Sequence, residues 1–280
     1  MNASDAASAP SLPAPRFVPG PAGRIAVYLS GAPDGETVVM SHSILSASMM
    51  WQRQAALLAS AGYRVARVDT RGHGASDAAP PPYRFDDLVA DLVAVLDALE
   101  LARVHYLGLS LGGMSGFGLG IRHPERLASL CLCDCRADAP AAFAAPWDDR
   151  IATASASGCA ALADSTTERW FGTAFLAAHP DLASRFRQQV GATSVDGFVG
   201  CAQAIQQLDY LRDVGTIRTP TGLIVGANDG PLPDAMKDLQ ARLPDATLDV
   251  IPGAGHLPNI DQPVAFDTAL LRHLARVAGR

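Results

Sequence analysis

From residue 24 to 133, and again from 221 to 278, short apolar runs rich in β-branched residues alternate with longer stretches of helical spacing. That alternation limits the possible folds more than any other feature of the chain. Residues 24–29, 37–41, 63–69, 104–109, 127–133, 221–226 and 246–251 read as strands. Between 85 and 101, Leu88, Val89, Leu92, Val93 and Leu96 recur at intervals of a helical turn, which predicts an amphipathic helix. Helices are also expected over 50–61, from 111 to 123, over 232–243 and over 263–278. Strands separated by helices cannot close hairpins. Each crossover returns the next strand parallel to the last, and the helices cover both faces of the sheet. The expected class is α/β, with a mostly parallel, doubly wound sheet.

Between 136 and 218 the alternation stops. Ala-rich helical stretches there carry Phe143, Trp147, Trp170, Phe171, Phe175, Phe186 and Phe198. This block is expected to be a helical cap, inserted before the strand at 221–226, on a core formed by 22–135 and 219–280. Residues 1–21, rich in Ala, Ser and Pro, are expected to be a flexible leader. They lack the basic start and apolar run of a secretory signal, and no later run is long enough to span a bilayer. A cytoplasmic location is therefore expected, with no membrane partner. The net charge of −6, with Lys237 the one lysine, leaves no basic stripe and argues against a nucleic-acid partner. Five cysteines at irregular spacing make no disulfide framework. Cys131, Cys133 and Cys135 alternate along one strand and share a face, where they are expected to be core side chains rather than metal ligands.

The sharpest chemical signal is Gly108-Leu109-Ser110-Leu111-Gly112, set between a predicted strand and a predicted helix. A serine on such a turn projects above the sheet. Side chains two positions before and after it would collide, and glycine at both places relieves this. The helix N-terminus behind it favours developing negative charge. Ser110 is thus the expected nucleophile, and a hydroxyl needs a base. Of seven histidines, His105 falls in a strand, His123 and His273 on helices, and His179 in the insertion. His256 follows the last strand, in a loop at the carboxyl end of the sheet where Ser110 also emerges, and is the expected base. Asp229, in Gly226-Ala-Asn-Asp-Gly230, is the expected orienting acid, with Asp134 at the end of strand 127–133 as its rival. The chain order Ser, Asp, His suits this architecture. Oxyanion donors are expected from the backbone N–H of Leu111 and from that of Ile44, in the loop after 37–41. Acyl transfer by such a triad needs no metal or organic cofactor.

With these residues the chain resembles the α/β-hydrolases that carry a helical cap, over nearly its whole length after the leader. Asp69-Thr-Arg-Gly-His-Gly-Ala-Ser-Asp77 is similar to the turn after the fourth strand in that superfamily, a structural turn by default. More narrowly, the chain resembles the 3-oxoadipate enol-lactonase family. The similar segments are Gly108-Leu-Ser-Leu-Gly-Gly-Met114, Glu168-Arg-Trp-Phe171, Gly197-Phe-Val-Gly-Cys-Ala-Gln-Ala-Ile205 and Gly255-His-Leu-Pro-Asn-Ile-Asp-Gln-Pro263. One segment departs: where that family reads roughly Ser-Asn-Ser-Leu-Gly-Thr, this chain has Ser41-His-Ser-Ile-Leu-Ser46. The resemblance implies hydrolysis of a small lactone bearing carboxylates, within the breakdown of aromatic compounds. An anionic substrate entering a dry pocket calls for an arginine, whose fork matches a carboxylate. Arg136 and Arg169 are the candidates, with Trp147 and Trp170 as further expected substrate contacts. The same triad would also suit a promiscuous aryl esterase or a perhydrolase. The fold alone would suit a ligand-binding receptor without turnover.

Overall fold

The computed structural model describes residues 14–278 and is built on an eight-stranded sheet. The strands are β1 (Arg16–Gly20), β2 (Gly23–Gly31), β3 (Thr37–Ser41), β4 (Arg64–Val68), β5 (Val104–Leu109), β6 (Leu127–Cys133), β7 (Thr221–Gly226) and β8 (Ala246–Ile251). They lie in the order β1-β2-β4-β3-β5-β6-β7-β8. β2 runs antiparallel to both β1 and β4, and every other neighbouring pair is parallel. Burial follows position. β3, β5 and β7 are buried at every residue, as strands covered on both faces must be, while β1, β2 and β8 carry exposed residues.

The first strand corrects the flexible leader expected over 1–21. Residues 1–13 lie outside the described residues, but Arg16–Gly20 is a strand, with Arg16 opposite Val27 and Gly20 opposite Gly23. Within β1 only Val18 is buried. A single buried residue flanked by the exposed Phe17 and Pro19 sets up no alternation to read, and the pairing is supplied by the open backbone edge of β2.

The helices are α1 (Gln52–Ser60), α2 (Phe85–Ala98), α3 (Leu111–Arg122), α4 (Ala141–Ala144), α5 (Pro146–Ser157), α6 (Ala163–Phe171), α7 (Thr173–Ala178), α8 (Pro180–Gly191), α9 (Val195–Gln206), α10 (Leu232–Arg242), α11 (Pro258–Asp261) and α12 (Pro263–Ala278). Their placement follows from crossover handedness. The chain steps from β3 outward to β4, reverses across β3 to β5, and continues through β6, β7 and β8. With right-handed crossovers, a reversal of direction moves the connecting helix to the other face. α1 therefore lies opposite α2, α3 and α10. On its own face it meets α12: Arg53 Nε donates to Asp267 Oδ2 at 2.8 Å, and the Trp51 ring lies 5.9 Å from Phe266.

α4 to α9 fill the stretch between β6 and β7. Trp170, Phe171 and Phe186 pack against one another at ring separations of 5.1–6.2 Å and give this block a core of its own. The Tyr210 N–H donates to Ala137 O (2.7 Å) across the base of this stretch, and backbone bonds from Ser194 N–H to Gly72 O (3.0 Å) and His256 N–H to Trp170 O (2.9 Å) tie it to the loops of the core. Because β3 and β5 to β8 are parallel, their carboxyl ends share one edge of the sheet. Residues 42–46, Ser110, Asp134, Asp229 and His256 all emerge there, facing the helical block.

Candidate active site

Ser110 sits between β5 and α3 with φ 56° and ψ −112°, a left-handed conformation that a residue with a side chain adopts at a cost. The expected steric reason for the flanking glycines is visible. A Cβ at Gly108 would strike the Gly112 carbonyl, and one at Gly112 would strike the Ser41 backbone. Ser110 is held from behind by its own N–H, which donates to Cys133 O at 2.8 Å. Leu111 is the first residue of α3, so its N–H has no acceptor within the helix. Ile44 is buried in the loop after β3. That loop is clamped to α3 by the Gly112 N–H, which donates to His42 O at 3.1 Å. His42 braces it further. Its Nε2 accepts the Thr70 N–H at 2.9 Å, which leaves the proton on Nδ1, 2.8 Å from Ser43 O. Burial pushes the His42 imidazole down to about 4, so it is neutral at ordinary pH.

At the neighbouring strand ends, His256 Nδ1 donates to Asp229 Oδ2 at 2.6 Å, with both residues buried. His256 Nε2 is buried and meets no hydrogen-bond partner among the described residues. Burial raises the Asp229 carboxylate. The charge and hydrogen bond of His256, followed by Arg169 and Asp134, outweigh that and hold it below its ordinary value. An imidazole fixed at one nitrogen by a carboxylate and free at the other can accept a proton from a neighbouring hydroxyl. Asp134, the rival acid, lies behind the pair at the end of β6 and bonds the Gly226 N–H through Oδ1 at 2.9 Å. Side-chain atoms of Asp134, Asp229 and His256 fall within 4.8 Å of one another, the one grouping of metal-ligand type among the described residues.

Ser110, Asp229 and His256 line one cavity of about 360 Å³. Trp147 and Arg169 line it as well. Arg169 has much of its surface open to solvent, although protein crowds its guanidinium. It makes no ion pair with the described residues. Burial pulls its guanidinium below the ordinary value, and Asp229 opposes that. Arg150 stands close by: Arg169 is among the charges that lower it, its Nη2 donates to Thr166 Oγ1 at 2.8 Å, and its Nε has no partner.

Two expected contacts are elsewhere. Arg136 does not line this cavity. Its Nη2 pairs with Asp138 Oδ1 at 2.8 Å, a partner two residues away that satisfies it locally. Trp170 does not line it either. Its ring is fully buried against Phe171 and Phe186, and its contribution is the carbonyl that receives the His256 N–H. Phe143, Ile205 and Met114 form apolar wall that the sequence did not single out as site. Phe143 was legible as one of the aromatics of the inserted block. Ile205 and Met114 carry no signal that separates them from core.

Residues 36–263 match the α/β-hydrolase fold family. The chain is 31% identical to 3-oxoadipate enol-lactonase 2 of Acinetobacter baylyi over 241 residues, which is 86% of this chain and 89% of that one. It is also 31% identical over 255 residues to RutD of Variovorax paradoxus, whose name assigns it to carbamate hydrolysis; the match spans 89% of this chain and 95% of the relative. Among solved structures, the enol-lactonase from Burkholderia xenovorans LB400 superposes with a TM-score of 0.88 at 28% identity, over 93% of this chain and all of that one.

Proposed function

The chain belongs to the α/β-hydrolase fold family, and from that premise we propose that it cleaves a carboxylic ester or lactone through Ser110, His256 and Asp229. One observation carries this reading: a cavity lined by Ser110 and by a His256 whose Nδ1 is held on Asp229 while its Nε2 is free. Ser110 Oγ attacks the carbonyl carbon and passes its proton to His256 Nε2. The Leu111 and Ile44 N–H groups receive the oxyanion, and the leaving oxygen takes the proton from His256 as the C–O bond breaks. In a lactone the leaving group stays tethered until water, activated by His256, releases the acyl-enzyme. Asp229 keeps the imidazole in the required tautomer throughout.

The enol-lactonase relatives favour a small lactone bearing a carboxylate, and the free Arg169 in the cavity wall supports that substrate class. The test is the loss of enol-lactone ultraviolet absorbance with purified protein, with Ser110→Ala as control. Decay that vanishes in the variant is expected. No decay, from protein that still cleaves an activated aryl ester through Ser110, would reject the enol-lactone as substrate and keep the hydrolase. Arg169→Ala is expected to raise KM for the carboxylated lactone and spare a neutral ester; equal effects on both would exclude Arg169 as the anion partner. The RutD relative makes a carbamate the second substrate to assay.

A further inference from the structure

Asp134 takes no part in the reaction written above, yet its position beside Asp229 needs an explanation. It is fully buried at the C-terminal end of β6, in a left-handed conformation with φ 44°. Its N–H donates to Ile224 O at 3.0 Å and its Oδ1 accepts the Gly226 N–H at 2.9 Å, so it stitches the end of β6 to the end of β7. The segment it stitches leads directly to Asp229. Its second oxygen, Oδ2, is buried and meets no donor among the described residues. Two ionised carboxylates this close, with no cation committed to Asp134, would repel strongly in a dry interior. One proton between them turns the clash into an O–H···O bond and satisfies the orphaned Oδ2.

We propose that Asp134 is held as the neutral acid and donates its proton to the Asp229 carboxylate, so that the residue orienting His256 is anchored from both sides. Asp134 is thus a positioning residue, acting through Asp229, and the inference rests on the reading of Ser110, His256 and Asp229 as the reacting group. The groups facing the pair agree with this. Burial, then the charge of Asp229, drives the Asp134 carboxyl well above its ordinary value, with Asp261 adding in the same direction. His256 and Arg169 hold Asp229 ionised. Cys133 and Cys135, on either side in sequence, are buried thiols held well above their ordinary value and so are neutral. Asp261 is raised by burial to about 6, so at neutral pH it is ionised and the favoured home for a proton in the cluster is Asp134.

The test compares Asp134→Asn and Asp134→Ala with the parent and with Ser110→Ala, on an activated aryl ester across pH. Asparagine keeps the acceptor for Gly226 and an N–H for Asp229. It is expected to lose no more than about threefold in kcat and to leave the acid limb of the kcat/KM profile in place, since one neutral donor replaces another. Alanine removes the donor, and a loss of about tenfold in kcat with little change in KM is expected. An acid limb displaced downward by about a unit in Asp134→Asn would mean that a negative charge had been removed, and would overturn the proposal. Full kcat in Asp134→Ala would overturn it as well. Should the alanine variant fail to fold, infrared difference spectra of the parent and Asp134→Asn decide the matter. The carbonyl stretch of a protonated carboxylic acid is expected in the parent and lost in the variant, and its absence from the parent refutes the neutral acid. A loss of activity on dialysis against a chelator, restored by a divalent cation, would put a metal where the proton is proposed. Hydrolysis that survives in Ser110→Ala would instead defeat the reading of the reacting group, which separates the two failures.

Discussion

At the scale of single residues, the candidate site keeps groups in states they would not hold in water. Ser110 is held at a strained backbone angle so that its hydroxyl clears the sheet, and the carboxylate of Asp229 is kept ionised although buried. Asp229→Asn keeps the shape but makes the side chain able to donate, which favours the wrong imidazole tautomer. A loss of about 10³–10⁴-fold in kcat on an activated ester is expected, with the melting temperature little changed. A loss below tenfold would show that Asp229 does not orient the base. The same scale explains why Arg136 and Arg169 differ. Arg136 has Asp138 two positions on and pairs with it, whereas Glu168, next to Arg169 on one helix, points to a different side and makes no ion pair with it among the described residues.

At the scale of elements, the loops at the carboxyl edge are held by buried polar groups as well as by apolar side chains such as Ile44, Leu45 and Leu257. The turn after β4 shows how. Asp69 Oδ1 accepts the Ser48 N–H at 2.7 Å and Oδ2 accepts the Ala75 N–H at 2.9 Å, so one buried carboxylate ties two loops together. Asp77, at the far end of the same turn, pairs with Arg24 in solvent. The two acids look alike in sequence and are expected to respond differently. Asp69→Ala leaves two buried N–H groups without acceptors and should cost about 3 kcal/mol in urea unfolding. Asp77→Ala should leave the unfolding midpoint close to the parent, because an exposed pair is screened. Equal effects would contradict this division of roles.

At the scale of the whole molecule, α12 closes one face of the sheet and brings a buried, uncharged histidine with it. His273 packs its ring against Gly222 of β7, and neither ring nitrogen finds a partner among the described residues. Burial, then Arg276, lowers its imidazole from 6.5 to about 4. The unfolded chain therefore takes up a proton near 6.5 that the folded chain refuses until about 4, so this group destabilises the fold as pH drops through that window. His273→Leu removes the penalty. Measured by urea unfolding, the variant is expected to gain about 2 kcal/mol over the parent between pH 7 and pH 5. A stability difference that is the same at both pH values would show that His273 titrates normally. No helix among the described residues is long and apolar enough to cross a membrane.

Local regularities carried most of the architecture and the geometry of the turn at Ser110. Five predicted strands, 37–41, 104–109, 127–133, 221–226 and 246–251, coincide residue for residue with β3, β5, β6, β7 and β8; the first four are buried parallel strands, which must be short, nearly unbroken apolar runs, while β8 is a half-exposed edge strand that carries Thr247 and Asp249. Ser110 was legible because its turn needs glycine at fixed offsets, and Asp229 and His256 because parallel strands end on one edge of the sheet. β1 was not legible, since its pairing is with the backbone edge of another strand. Whether Arg136 or Arg169 reaches the cavity, and whether Trp170 offers its ring or its carbonyl, depends on how the inserted helices sit on the sheet. That fit is the sum of many contacts distant in sequence, and no single period or motif encodes it. The contact between Asp134 and Asp229 is of the same kind. Each acid follows its own strand, and only the pairing of β6 with β7 brings the two carboxyl groups within 4.8 Å of each other.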